Sequence, residues 1–234
     1  MPSDFPLRPK LLKGALAVYE SDDPGTQPEI IVFQCNPEQL KRTLANRTPP
    51  SPTSNTGAAK EDVMRVWGAP VEIANLTVVL NAVDQPAGVP GLNEQRGAAQ
   101  HGLYPTLAVM EMLLYPPTLR IQNNQKLAEE GAVQISSEKL PLTLLVWGES
   151  RVVPILLTNF SITEEAFDQN LNPIQAKVEL GMRVLTYMEL KESGLGRNAY
   201  LAYQRQKETF AQQYSSGGDT REITGFVHKA VTRP

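Results

Sequence analysis

The sequence predicts a mainly β domain with α: a β-barrel or two packed antiparallel sheets, a flanking helix, and a C-terminal helical extension. The first observation behind this is PIQAKVELGMRVL, Pro173 to Leu185. Ile174, Ala176, Val178, Leu180, Met182 and Val184 fall on one side of an extended chain, and Gln175, Lys177, Glu179, Gly181 and Arg183 on the other. Successive strand side chains point to opposite faces, so this is a half-buried strand with one wet face. The second is a series of further apolar runs bounded by Gly, Pro, Asn and Asp. Long strands joined by polar loops point to a barrel or sandwich. The third is that helical spacing is confined to a few windows.

In chain order, KLLKGALAVYE and PEIIVFQC are two strands joined by SDDPGTQ, whose Asp, Pro and Gly favour a tight reversal. NPEQLKRTL is predicted as a short turn or helix, with Pro37 in first-turn position after Asn36. ANRTPPSPTSNTGAAKED is too polar to pack and reads as a loop over about 45–62. APVEIANLTVVLNAVD is a second long strand, with Leu76, Val78 and Leu80 on one face, and another loop follows over about 84–103. Tyr104 to Tyr115 has helical spacing, with Leu107, Met110, Met112, Leu113 and Leu114 on a broad apolar side. Pro116 and Pro117 end that helix, and a polar connector is expected after it. LPLTLLVWG and RVVPILLTNFSIT form a hairpin. NAYLAYQRQKETFAQQY is an amphipathic helix carrying Leu201, Tyr203, Phe210 and Tyr214. The predicted domain spans 1–190, and 191–234 is an extension with one helix and a mobile tail.

Composition excludes several functions. The chain has 234 residues and a net charge of −3, with a pI near 5.5. It has no basic stripe of the kind that binds nucleic acid, so no nucleic-acid partner is expected. One cysteine, Cys35, leaves no internal disulfide framework and suggests a reducing compartment. No apolar run suits a signal peptide or a transmembrane helix, so a cytoplasmic location without direct membrane insertion is expected.

Chemistry is equally sparse. His101 and His228 have no further ligand at useful spacing, so neither metal nor cofactor is expected. Glu164, Glu165 and Asp168 sit in a turn-rich connector, where solvated acids are the ordinary case. Acid–base catalysis requires two carboxylates held in one pocket. SGLGRNAY carries only a fragment of a glycine-rich fingerprint and lacks the preceding strand. The expectation is that the chain is not an enzyme. Trp147, inside an apolar strand, is assigned to the core; Trp67, after the Pro-rich loop, suits core or interface alike.

Two stretches carry a resemblance. IVFQCNPEQLKRTL is a strand closed by Phe-x-x-Asn-Pro-Glu. VWGESRVVPILLTNFSITEEAFDQNLNPIQAKVELGMRVL joins a Trp-Gly hairpin, an SITEEAF corner, an NP turn and a long alternating strand. Together these resemble the tube-like N-terminal domain of baseplate adaptors of contractile injection systems, over most of Leu11 to Leu190. The resemblance implies a tail-tube fold in a hexameric ring between inner tube and spike. It implies as partners the chain itself, the inner-tube protein, the spike or hub, and other baseplate proteins, within a contractile tail-like particle. Many members carry a LysM module after this domain, and the 40 or so residues after Glu192 lack its pattern. In such a ring Gln175, Lys177, Glu179 and Arg183 are candidates to face the lumen. Trp67, Glu164, Glu165 and Phe167 are candidate interface residues. The same wet face also suits an ordinary solvent-exposed sheet. The alternatives are a main inner-tube subunit, a monomeric peptidoglycan- or protein-binding module, and a hydrolase using Glu164, Glu165 or Asp168.

Overall fold

Alternation in the sequence becomes alternation in burial. A computed structural model describes residues 13–23, 25–33, 36–47, 66–82, 101–129, 140–214 and 231. Its strands are β1 (Ala15–Tyr19), β2 (Glu29–Val32), β3 (Leu40–Ala45), β4 (Val71–Asn81), β5 (Leu142–Val146), β6 (Val152–Phe167) and β7 (Pro173–Val184). Its helices are α1 (Tyr104–Glu111), α2 (Thr118–Glu129) and α3 (Leu195–Gln213). On β7, Ala176, Val178, Leu180, Met182 and Val184 are buried, and on β4 so are Glu72, Ala74, Leu76, Val78 and Leu80. Ile174 shares the β7 row but is exposed, because it lies at the hairpin end beyond the core cluster.

The architecture is mainly β with α, as expected. The strands form one antiparallel sheet in the order β2-β1-β5-β6-β7-β4-β3. This corrects the expectation of a closed barrel or two separate sheets. Closure requires the end strands to hydrogen-bond to each other, and β2 and β3 have no second neighbour among the described residues. β1 and β5 are buried on both faces, with Ala15, Leu16 and Ala17 inside, and Thr143, Leu144 and Leu145 beside them. Continuous burial of that kind needs an unbroken apolar run rather than alternation.

Two further expectations are corrected. Residues 40–45, within the segment read as a turn or helix, form strand β3, paired from Leu40↔Leu76 to Ala45↔Val71. The edge of β4 supplies backbone partners from Leu40 to Ala45, which outweighs a weak local helix signal. The polar connector contains α2, a helix exposed along most of its length. Pro117 starts this helix, since its carbonyl accepts from Ile121 N at 3.3 Å, whereas the preceding helix already stops at Glu111.

Helix α1 buries Leu107 and Met110, flanked by buried Leu103 and Leu113. Met112, expected on that side, is 46% exposed because the helix stops at Glu111. Trp147 packs half-buried against the core, as assigned. Helix α3 contributes buried Tyr200 and Tyr203 to the same core and packs against β6, whereas Phe210 and Tyr214 are exposed. Residues 215–230, expected as a mobile tail, lie outside the described set, as do most of both predicted loops, Cys35 and His228.

The start of α3 is capped from far away. Gly196 N donates to Asp22 Oδ1 at 2.8 Å, and Leu195 N to the Asp22 carbonyl at 3.1 Å. A Cβ on Gly194 would sit 2.1 Å from Asp22 Oδ2, so the glycines of SGLG serve close approach rather than phosphate binding. Asp22→Ala is expected to lower stability by about 1 kcal/mol, with Asp22→Asn retaining most of it. Urea midpoints of the two variants check this.

Candidate assembly surface

The outer face of β7 is arranged in cross-strand rows. Gly181 lies between Asn75 of β4 and Asn159 of β6, and Glu179 between Thr77 and Ser161. Lys177 lies between Val79 and Thr163, and Arg183 between Ile73 and Leu156. A Cβ on Gly181 would approach Asn159 Cβ to 2.9 Å and Asn75 Oδ1 to 3.3 Å, so the glycine lets two amides close over the strand. Beside this row is a shallow hollow of about 570 Å³, rimmed by Asn36, Gln39, Lys41, Thr77, Lys177 and Glu179.

Ionic partners balance much of the charge on this face. Lys177 Nζ is 3.2 Å from Glu165 Oε1, and Gln175 Nε2 donates to Glu165 Oε2 at 3.3 Å. Arg183 pairs with Glu189, which also accepts from Thr186 N at 3.1 Å. Exposed pairs of this kind stabilise a fold by at most about 1 kcal/mol. Their larger effect is to leave the surface without a dominant sign. Gln175, Lys177, Glu179 and Arg183 are therefore brought together on one face.

The structure separates the three carboxylates of the hydrolase alternative. Strand alternation puts Glu165 on the face of Lys177, whereas Glu164 lies opposite Ala176 on the other side of the sheet. Asp168 accepts from Asn172 Nδ2 (2.8 Å), Asn172 N (2.9 Å) and Asn170 N (2.7 Å). These bonds, the Asn172 side chain's first, hold its carboxyl below the usual carboxylate range. The acid organises its own turn.

Trp67 and Phe167 are 46% and 47% exposed, at opposite ends of the long strands. Among the described residues, no group of His, Cys, Asp and Glu is placed to hold a metal ion. Among them, too, no helix is long and apolar enough to cross a membrane.

One polar cluster escaped the sequence reading. Glu72 is buried, with Arg42 Nε at 2.6 Å from Oε1 and Lys207 Nζ at 3.3 Å from Oε2. Arg42 Nη2 donates to Tyr203 Oη at 2.7 Å, and Lys207 lies 4.0 Å over the Tyr203 ring. Burial pushes the Glu72 carboxyl up, but the hydrogen bond from Arg42 and the charges of Lys207 and Arg42 outweigh it, leaving a net downward shift. Burial, then Glu72's charge, push the Tyr203 phenol up. The signal was parity: Glu72 shares the inward row of Leu76, Val78 and Leu80, where a carboxylate requires partners. The cluster ties α3 to β3 and β4.

Comparisons with known proteins are sparse. No protein-family model and no curated protein matches the chain. It is similar to a chain in a solved structure described as "Tail of empty GTA particle computed with helical refinement, C6 symmetry". The identity is 14%, over 73% of this chain and 90% of that one, with a TM-score of 0.26. A likeness that slight carries no argument about fold or role.

Proposed function

We propose that the chain is a structural component of a contractile injection system, a ring-forming adaptor that joins the inner tube to the spike or hub. The observation that carries the reading is the open sheet: among the described residues β2 and β3 are edge strands, beside a wet face on which Lys177 and Arg183 are ion-paired. Unpaired edges are liabilities in a monomer and are covered when neighbouring copies meet. Six copies meeting through two different patches close a ring by heterologous contacts. Gln175, Lys177, Glu179 and Arg183 would then line its lumen, and mixed charge lets cargo of either sign pass without being held. The role is geometric and needs no catalysis, cofactor or metal. The resemblance of NPEQLKRTL and of the 146–185 region to adaptor domains supports the same reading.

Affinity purification of the tagged chain from its native host tests it. Mass spectrometry is expected to find tube, sheath and spike proteins in the eluate, with needle-shaped particles under negative stain. A clean monomer, from cells that are making such particles, would overturn the reading in favour of a binding module.

A further inference from the structure

A second hollow, of about 270 Å³, opens between the inner face of β1 and β2 and the helical run that follows the middle of α1. Val18 and Ile31 form its floor. Register puts Ile31 opposite Leu16 and Glu29 opposite Val18, and alternation puts Glu20 on that same face. The facing wall is Val109, Met112, Leu113 and Tyr115, and Pro117 and Pro141 complete the lining. Met112 and Tyr115 are 46% and 61% exposed, so the wall presents apolar surface that no described residue covers.

The charge of the hollow has one sign. Glu20 and Glu29 are its charged lining residues, and among the described residues neither has a cation partner. The β1–β2 turn beyond them adds Asp22, which caps α3, and Asp23, which lies 3.9 Å from Lys191. A fitting occupant brings apolar side chains together with cations. The lining also selects its backbone: a groove walled by Tyr and Pro suits an extended polyproline II segment, which arrives already ordered.

The chain carries such a segment beside the hollow. Residues 1–12 lie outside the described set, and their sequence includes Phe5-Pro6-Leu7-Arg8-Pro9-Lys10. Each proline fixes its own φ and biases the residue before it toward an extended conformation. This stretch has two cations and no acid, since Asp4 precedes it. Its reach is sufficient. From Lys13, the first described residue, Leu16 and Glu20 lie three and seven residues along, or about 10 and 23 Å at the strand rise. Phe5 to Leu12 spans about 25 Å at the polyproline II rise. A short tether also holds such a segment at an effective concentration on the order of millimolar.

We propose that this hollow is the docking site of residues 5–10 of the same chain. Pro6 and Pro9, three residues apart, form the ridge that packs on the apolar wall, and Arg8 and Lys10 on either side of it meet Glu20 and Glu29. The N-terminal segment is then a strap that joins the β1–β2 end of the sheet to the helical run. It closes the hollow to other cationic, proline-containing peptides until it lifts. The inference goes beyond the ring reading and is independent of it.

Carbodiimide cross-linking of an equal mixture of isotopically light and heavy full-length chain, read by mass spectrometry, tests the contact. Lys10 is expected to join Glu20 or Glu29 in light–light and heavy–heavy pairs. Trypsin gives an independent rate, because it cuts after Lys10 and spares the Arg8–Pro9 bond. Cleavage after Lys10 is expected to be at least tenfold faster in Arg8→Ala, and in the double variant Glu20→Lys with Glu29→Lys, than in the wild type. Both glutamates are exposed, so the double variant is expected to keep the wild-type circular dichroism spectrum. Light–heavy cross-links would put the segment on a second copy and overturn the intramolecular docking. Equal cleavage rates, with no cross-link from Lys10 to either glutamate, would overturn the site itself.

Discussion

Replacing Gly102 by alanine is expected to destabilise the protein by about 3 kcal/mol. Gly102 holds φ at 56°, and a Cβ there would sit 2.3 Å from the Pro173 carbonyl oxygen. That atom is backbone and also accepts from Leu103 N at 2.7 Å, so it cannot move without breaking the join between α1 and β7. Two costs add: a left-handed conformation for a residue with a Cβ, and displacement of β7 or the helix start. Leu103, Leu107 and Met110, all buried, then lose part of their cover. In a domain of this size Tm is expected to fall on the order of 10 °C. Thermal unfolding followed by circular dichroism checks it, with Gly25→Ala as a comparison, because that glycine has a positive φ of 98° but nothing within 4 Å. An equal loss in both variants would place the whole cost in the dihedral and none in the contact.

The second large effect is expected at Glu72. Glu72→Ala leaves Arg42 and Lys207 facing an empty, mostly buried site, and removing one partner of a buried pair costs about 3–5 kcal/mol. Because both cations keep some access to water, the lower end is expected. Replacing Glu72 and Arg42 together by Leu and Met is expected to cost less than Glu72→Ala alone, since no strong charge pair is then left half-made. The acid dependence has a definite sign. The folded carboxyl titrates below its unfolded value, so its contribution is present above about pH 4.5 and is lost as pH falls through the folded value. Glu189 and Asp168 are shifted the same way and add to the fall. The difference between wild type and Glu72→Gln, in urea midpoints at pH 7 and pH 3, isolates the Glu72 share. That difference is expected to shrink at low pH; a constant or growing difference would show that the cluster stabilises by shape alone.

Much of the fold was legible because strands and hairpins announce themselves locally. The alternation of β4 and β7, the turn between β1 and β2, and the Trp147–Arg151 reversal, where Trp147 N donates to the Arg151 carbonyl at 2.8 Å, all follow from neighbouring residues. The wet face was legible for the same reason: Gln175, Lys177, Glu179 and Arg183 share one parity. Their neighbours were not. Asn75 and Asn159 are far apart in the chain and meet across Gly181 only through register. Glu164 and Glu165 are adjacent in a segment that reads as a turn-rich connector, and they part to opposite faces because that segment is the end of strand β6.

By itself, the sequence determined which segments alternate, where turns stop them, and that the protein is mainly β with helices. These are records of solvent on one side and core on the other, written residue by residue. The tertiary structure alone decided that β1 lies beside β5 and β4 beside β7, that Leu40–Ala45 extends as an edge strand, and that Glu72 is neutralised by Arg42 from β3 and Lys207 from α3. It alone decided, too, that the row of strands stays open among the described residues. Each outcome rests on hydrogen bonds or ion pairs between residues distant in the chain, and such pairing leaves no periodic trace in either partner.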